Sequence, residues 1–353
     1  MKLKSVQEQV AVVMGGSGGI GRETALRFAE RGAKVVVAAR REPGLASVVE
    51  EIAERGGEAT YVLCDVANFT EVENVADIAV RTFGRIDTWV NAAAQSLNAR
   101  FEDTTPEEFR RVSEVNYLGQ VHGALAALPH LRRAGQGAII AISSVESIVA
   151  LPLHSAYSAS KHAVEGAMDA LRRDLMAQGA PISVTSVKPG SVDTSFFAVA
   201  TVAPDRVARN SDDVPPQAPP PDHQVAVVAD CVMYAAEHPV RDLFAGGTNK
   251  LMALSQVLAP RQVDATLARI GHAPDGTLHP RPSRAPDPRG GRAPDDRGTG
   301  DVTVKTQRFS LYTWWEIHPK ARAAATAGML LGAPLVVTRL LRGARTDGSV
   351  TAR

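Results

Sequence analysis

Cysteine is nearly missing from this 353-residue chain: Cys64 and Cys231 are the only two. Two isolated cysteines make neither a disulfide framework nor a metal centre, so both are expected to be reduced thiols, Cys64 in a strand and Cys231 in a helix. An excess of one charge is missing too. The formal net charge is +1, with Lys and Arg scattered through the first 270 residues, so nucleic acid is not expected as a partner. No apolar run follows Met1. The chain turns polar over residues 5–9 and then enters an apolar strand, leaving no room for the core of a signal peptide; the main domain is expected in the cytoplasm. The charge-free stretch 323–338 is shorter than the ~20 apolar residues of a spanning helix and contains Pro334. With Trp314 and Trp315 ahead of it and Lys320, Arg322, Arg339, Arg342 and Arg345 around it, it has two readings. One is an interfacial or membrane-anchoring helix; the other is a helix packed on the domain or on a partner subunit.

What the chain does have is alternation. Short apolar runs at 10–14, 35–39, 59–64, 86–90, 138–142, 182–187 and 243–245 are strand-like. Helical patterns at 22–31, 45–55, 72–83, 106–131, 156–178 and 224–236 separate them. This order predicts an α/β, doubly wound parallel sheet with helices on both faces. Right-handed crossovers place the C-terminal ends of all strands on one edge, where ligands of such sheets bind. Prolines at 215, 216 and 219–221 read as a stiff extended link, and 250–258 and 261–270 as two amphipathic helices that complete a domain spanning 1–271. Residues 272–306, crowded with Pro, Gly, Arg and Asp, are expected to be a disordered linker, and 307–353 a helical tail, apolar and basic.

Chemistry gathers at the predicted edge. Between the first strand and first helix stand Gly15, Ser17, Gly18, Gly19, Ile20 and Gly21, a turn that can set backbone N–H groups and a positive helix end against a pyrophosphate. The second strand ends in Ala39-Arg40-Arg41 without the carboxylate that would hold two ribose hydroxyls, and Arg40 offers a fork to a 2'-phosphate. NADP(H) is therefore favoured over NAD(H). Asp65 is a candidate acceptor for the adenine amino group, or a turn residue. Within one helix, Tyr157 and Lys161 lie a turn apart on the same face, where an ammonium draws a phenol toward working pH.

The ordered set of Gly15 to Gly21, Asp65-Val66, Asn91-Ala92-Ala93, Asn116, Ser144, Tyr157 with Lys161, and Pro189-Gly190 with Thr194 resembles the short-chain dehydrogenase/reductase family. The resemblance covers residues 10–194 and implies a Rossmann-type sheet and a carbonyl/alcohol interconversion by hydride transfer, with an apolar small molecule as substrate. Tyr157 would be the proton donor and acceptor, and Ser144 would hold the same oxygen, with Ser143 as the other choice. Lys161 would hold the nicotinamide ribose and depress the tyrosine pKa, while Asn116 would position a water for proton exchange or pair with backbone in a kinked helix. Asp65, Val66, Asn91, Ala92, Ala93, Pro189, Gly190, Val192 and Thr194 would contact the cofactor. Specificity would lie in 195–221, and helices 106–131 and 156–178 would be the faces of a homo-oligomer. Two residues depart from the pattern: Met14 replaces a hydroxyl residue before Gly15, and Ala94 a glycine. His154 and His162 are expected to be packing or surface groups. Glu146 is expected to be a solvated loop charge, with a place facing the substrate as the alternative. A non-catalytic nucleotide-binding or membrane-associated scaffold is the competing reading, against which the intact Asn116, Ser144, Tyr157 and Lys161 set argues.

Overall fold

The computed structural model describes residues 1–193, 223–270 and 309–322. Its centre is a seven-stranded parallel sheet. β1 (Val10–Met14) lies between β2 (Lys34–Ala39) and β4 (Thr88–Asn91). β3 (Ala59–Leu63) extends the sheet beyond β2. On the other side follow β5 (Gly137–Ile142), β6 (Ile182–Pro189) and β9 (Asp242–Ala245), giving the order β3-β2-β1-β4-β5-β6-β9. The chain reverses direction across the sheet after β3, so a crevice opens at the C-terminal ends of β1 and β4. A separate two-stranded ladder pairs β7 (Val192–Asp193) with β8 (His223–Gln224).

Both sheet faces are covered, which is why the strands read as continuous apolar runs. Side chains of β1 alternate: Ala11 and Val13 enter one core, Val12 and Met14 the other. The first core is closed by α1 (Gly19–Glu30), α2 (Glu42–Glu54) and α7 (Val225–Glu237). The second is closed by α3 (Phe69–Phe83), α5 (Gly119–Ala134) and α6 (Ser155–Ala177). Cys64 and Cys231 are buried and unpaired, one in each core. Burial pushes the Cys64 thiol up to about 12 and raises Cys231 as well.

The helix expected over 106–131 is three pieces. α4 (Pro106–Ser113), opened by a Thr105–Glu108 capping box, runs into a π-helical turn (Glu114–Leu118) before α5 begins. Two further helices, α8 (Gly247–Leu258) and α9 (Pro260–Ile270), stand over the C-terminal edge of the sheet. α10 (Leu311–Ile317), from the stretch assigned by sequence to a separate tail, lies against β9, α7 and α8. The expected linker 272–306, the proline link at 215–221 and the apolar stretch 323–338 lie outside the described residues. Among the described residues no helix is long and apolar enough to cross a membrane.

Candidate active site

Beyond the C-terminal ends of the strands lies a cleft of about 900 Å³. One wall is the turn after β1. Gly15 adopts φ +79°, its N–H donates to the Ala38 carbonyl at 2.7 Å, and a Cβ there would stand 2.6 Å from the Ala93 nitrogen. A Cβ on Gly21 would meet the Gly15 carbonyl oxygen at 2.2 Å, so α1 seats on the turn only with glycine at that position. At Gly18 the space is open instead, with nothing within 4 Å. Ser17, Gly18, Gly19, Ile20 and Gly21 line the cleft, and the unpaired first-turn amides of α1 belong to this stretch.

The ends of β2, β3 and β4 form the next wall. Arg40 is exposed at the rim, and Val66, Ala92 and Ala93 line the cleft beside it. Asp65 lines it too, but both its oxygens have protein partners: Oδ1 accepts from the Ala67 amide at 3.0 Å and Oδ2 from Arg111 at 2.6 Å. Partial burial opposes its ionisation, yet those two partners and the charge of Arg40 outweigh it and hold the carboxyl below its ordinary value. Asn91 lies outside the cleft lining. Its Oδ1 accepts from Trp89 Nε1 at 2.9 Å and its Nδ2 donates to the Gln120 carbonyl at 3.1 Å, so its side chain braces the Ala92-Ala93 turn from behind.

The residues expected to handle the proton meet where β5 ends and α6 begins. Ser144 and Tyr157 are hydrogen-bonded to each other. Ser143 also borders the cleft, but its buried hydroxyl has no partner among the described residues. Lys161, 1 % exposed, donates from Nζ to the Ile142 carbonyl at 2.8 Å and sits 5.5 Å from the centre of the Tyr157 ring. Burial drags its pKa down to about 8 against the pull of Glu165 and Glu146. Tyr157 moves the opposite way from expectation. Burial first, and Glu146 second, raise the phenol, and the Ser144 hydrogen bond offsets only part of that. Asn116, in the π-helical turn, stands outside the cleft lining. Its amide exchanges two hydrogen bonds with the Gln95 backbone (2.7 and 2.9 Å) and donates to Ser160 Oγ at 3.0 Å, tying the 95 loop to α6.

Glu146 is not the solvated charge expected. Its carboxylate is 6 % exposed, accepts from Ser158 Oγ at 2.7 Å, and faces Nδ1 of His154 at 3.1 Å. It also lines the cleft, as the alternative reading had it, while its contact with His154, eight residues on, is made only in the folded structure. His162 conforms to expectation, bonding the Ser158 carbonyl one turn back. Pro189, Gly190 and Val192 close the cleft from the β6 side, and Thr194 lies outside the described residues. The roof comes from α8 and α9, where Leu251, Met252, Val263 and Leu267 alternate with Thr248, Asn249, Ser255, Gln262 and Thr266.

The glycine-lined turn, the open space at Gly18 and the rim arginine fit an extended phosphate-bearing dinucleotide, with Tyr157 and Lys161 at its far end. Comparisons agree. The family model for short chain dehydrogenase matches residues 9–203. An uncharacterized oxidoreductase of Bacillus subtilis, YxnA, is 35% identical over 333 residues, 94% of this chain and 91% of that protein. Dehydrogenase/reductase SDR family member 7B of Bos taurus is 34% identical over 204 residues, 56% of this chain and 62% of that protein. Among solved structures, an alcohol dehydrogenase of Thermococcus sibiricus complexed with 5-hydroxy-NADP superposes with a TM-score of 0.56 at 26% identity, over 67% of this chain and 95% of that one. A short chain dehydrogenase/reductase of Burkholderia phymatum in complex with NAD shares the fold, with a TM-score of 0.65 at 23% identity, over 75% and 96% of the two chains. On a match that spans the sheet, the glycine turn and the Tyr157-Lys161 helix, the chain belongs to the short-chain dehydrogenase/reductase family of NAD(P)-dependent oxidoreductases.

Proposed function

We propose that this oxidoreductase interconverts a carbonyl and an alcohol with NADP(H) as cofactor and Tyr157 as the proton donor and acceptor. The observation that carries the proposal is the Ser144–Tyr157 hydrogen bond beside a buried Lys161. A carbonyl oxygen received between the two hydroxyls would be fixed by Ser144 and protonated by Tyr157. When bound, the nicotinamide supplies or accepts the hydride. Lys161, held by the Ile142 carbonyl, is placed to bind the ribose and to stabilise negative charge on the phenol. The Gly15 to Gly21 turn would carry the pyrophosphate, while Pro189, Gly190, Val192 and Thr194 would border the nicotinamide.

Arg40 supports the choice of NADP. It stands exposed at the end of β2 on the rim of the cleft, within reach of the Asp65 charge, but the Asp65 carboxylate is itself bound to Arg111 and Glu42 accepts from the Tyr61 hydroxyl. NAD(H) is the alternative cofactor. Leu251, Met252, Val263 and Leu267 in the roof support a substrate with an apolar part, and Ser255, Gln262 and Thr266 beside them supply polar contacts. A Tyr157→Phe variant keeps the ring and removes the proton. It is expected to lose roughly 10²- to 10⁴-fold in kcat for NADPH oxidation across a carbonyl panel while still binding nucleotide, and undiminished turnover would overturn the assignment. The same panel run with NADH tests the cofactor: a higher kcat/KM with NADPH is expected.

A further inference from the structure

Glu146 is a buried carboxylate that the proposed chemistry leaves unused, and its placement is closely determined. It follows Ser144 by two residues, and its own backbone N–H donates to Ser144 Oγ at 3.1 Å. Ser147 Oγ donates to the Ser144 carbonyl at 2.7 Å, which fixes the turn further. The carboxylate then reaches across to the helix that carries Tyr157. Oε2 takes the Ser158 hydroxyl, and His154 Nδ1 lies 3.1 and 3.2 Å from the two oxygens. The His154 ring in turn packs edge-on against Tyr157, with centroids 6.2 Å apart. Glu146 thus joins the serine turn to the tyrosine helix and is barred from swinging out to water.

A fixed charge in a dry place acts strongly on its neighbours. Among the charged groups on the elements around α6, Lys188 of β6 is paired with Glu165 and Asp242, and Arg111 of α4 with Asp65 and Glu114. Lys161 lies over the phenol ring, and His154 is bound to Glu146 itself. We propose that Glu146 is a positioning residue that sets the pH at which Tyr157 changes from proton donor to proton acceptor, holding the donor form across neutral pH. Its charge acts in the same sense on both proton-bearing groups, favouring the neutral phenol and the charged ammonium. The inference rests on the proposed acid–base role of Tyr157.

The test is a pH profile together with a direct titration. In Glu146→Gln, kcat/KM for carbonyl reduction should begin to fall about one pH unit lower than in the wild type, and alcohol oxidation should set in correspondingly earlier. Tyrosinate absorbance, taken as the difference between each protein and its Tyr157→Phe counterpart, should show the same downward shift without any turnover. Ser158→Ala removes a hydrogen bond but keeps the charge and should leave the midpoint in place. A midpoint unmoved in Glu146→Gln, or moved equally by Ser158→Ala, overturns the proposal. Should Glu146→Gln fail to fold, Glu146→Met, which also removes the charge, takes its place: the same downward shift of the Tyr157 midpoint supports the inference, and an unmoved midpoint overturns it. If Tyr157→Phe turns over normally, the proposed function falls; if it is inactive while the profile stays fixed, only the role of Glu146 does.

Discussion

Lys161 shows how a single residue can weaken the fold for the sake of the site. Its ammonium is buried with a carbonyl as hydrogen-bond acceptor, and its pKa is about 8 in place of the ordinary 10.5. Between those values the unfolded chain binds a proton that the folded chain has lost, so stability rises with pH through that window and is lowest below it. Lys161→Met should therefore melt higher than the wild type at pH 7 while losing activity. The difference should shrink between pH 8 and 10.5, by at most about 1.4 kcal/mol per pH unit. Differential scanning calorimetry of the pair across pH checks both sign and window, and a constant difference would show that the buried charge is not its source. Tyr157 and Lys161 were legible in the sequence because helical spacing alone puts them on one face. The sign of the tyrosine shift was not, since it depends on how much water the fold removes and on a carboxylate brought in from the preceding loop. Asn91 was expected against the cofactor and Asn116 beside a water or paired with backbone, but both stand outside the cleft lining and their amides turn to Trp89, Gln120, Gln95 and Ser160, partners that only the fold supplies.

At the scale of elements, the turn between β1 and α1 separates two uses of glycine. Gly21 is needed for packing, since any Cβ would lie 2.2 Å from the Gly15 carbonyl oxygen. Gly18 is extended, φ −165°, with open space where its Cβ would go. Gly21→Ala is expected to cost about 1–3 kcal/mol and to lower the melting temperature, because α1 must shift to relieve the overlap. Gly18→Ala should melt like the wild type and bind NADPH more weakly, its methyl group intruding only where the ligand lies. Melting curves beside nucleotide titrations separate the two, and equal losses of stability would refute the distinction. The strands were readable to within a few residues because their apolar runs are bounded by turns. The break between α4 and α5 was not readable, because the π-helical turn is stabilised by the Gln95 backbone, remote in sequence from Asn116.

At the scale of the whole molecule, residues 309–322 fold back on the domain. Ser310 caps α10, and Thr313 Oγ1 accepts from the buried Gly246 N–H at 2.9 Å at the point where β9 leads into α8. Since α8 roofs the cleft, this contact links the C-terminal segment to the site. Thr313→Val keeps the shape and strands the Gly246 amide; a loss of about 1–3 kcal/mol is expected, with a raised KM for the substrate. Thermal denaturation and steady-state kinetics check it, and an unchanged melting point would show that the contact contributes nothing. The sequence by itself determined the parallel sheet, the glycine turn, the Tyr157-Lys161 pair and the family, because each is written in spacings along one strand, turn or helix. Only the tertiary structure decided which serine meets the tyrosine, that Glu146 is buried against His154, and that α10 closes on β9. Those outcomes depend on desolvation and on distances between residues far apart in the chain, and neither is encoded in local spacing.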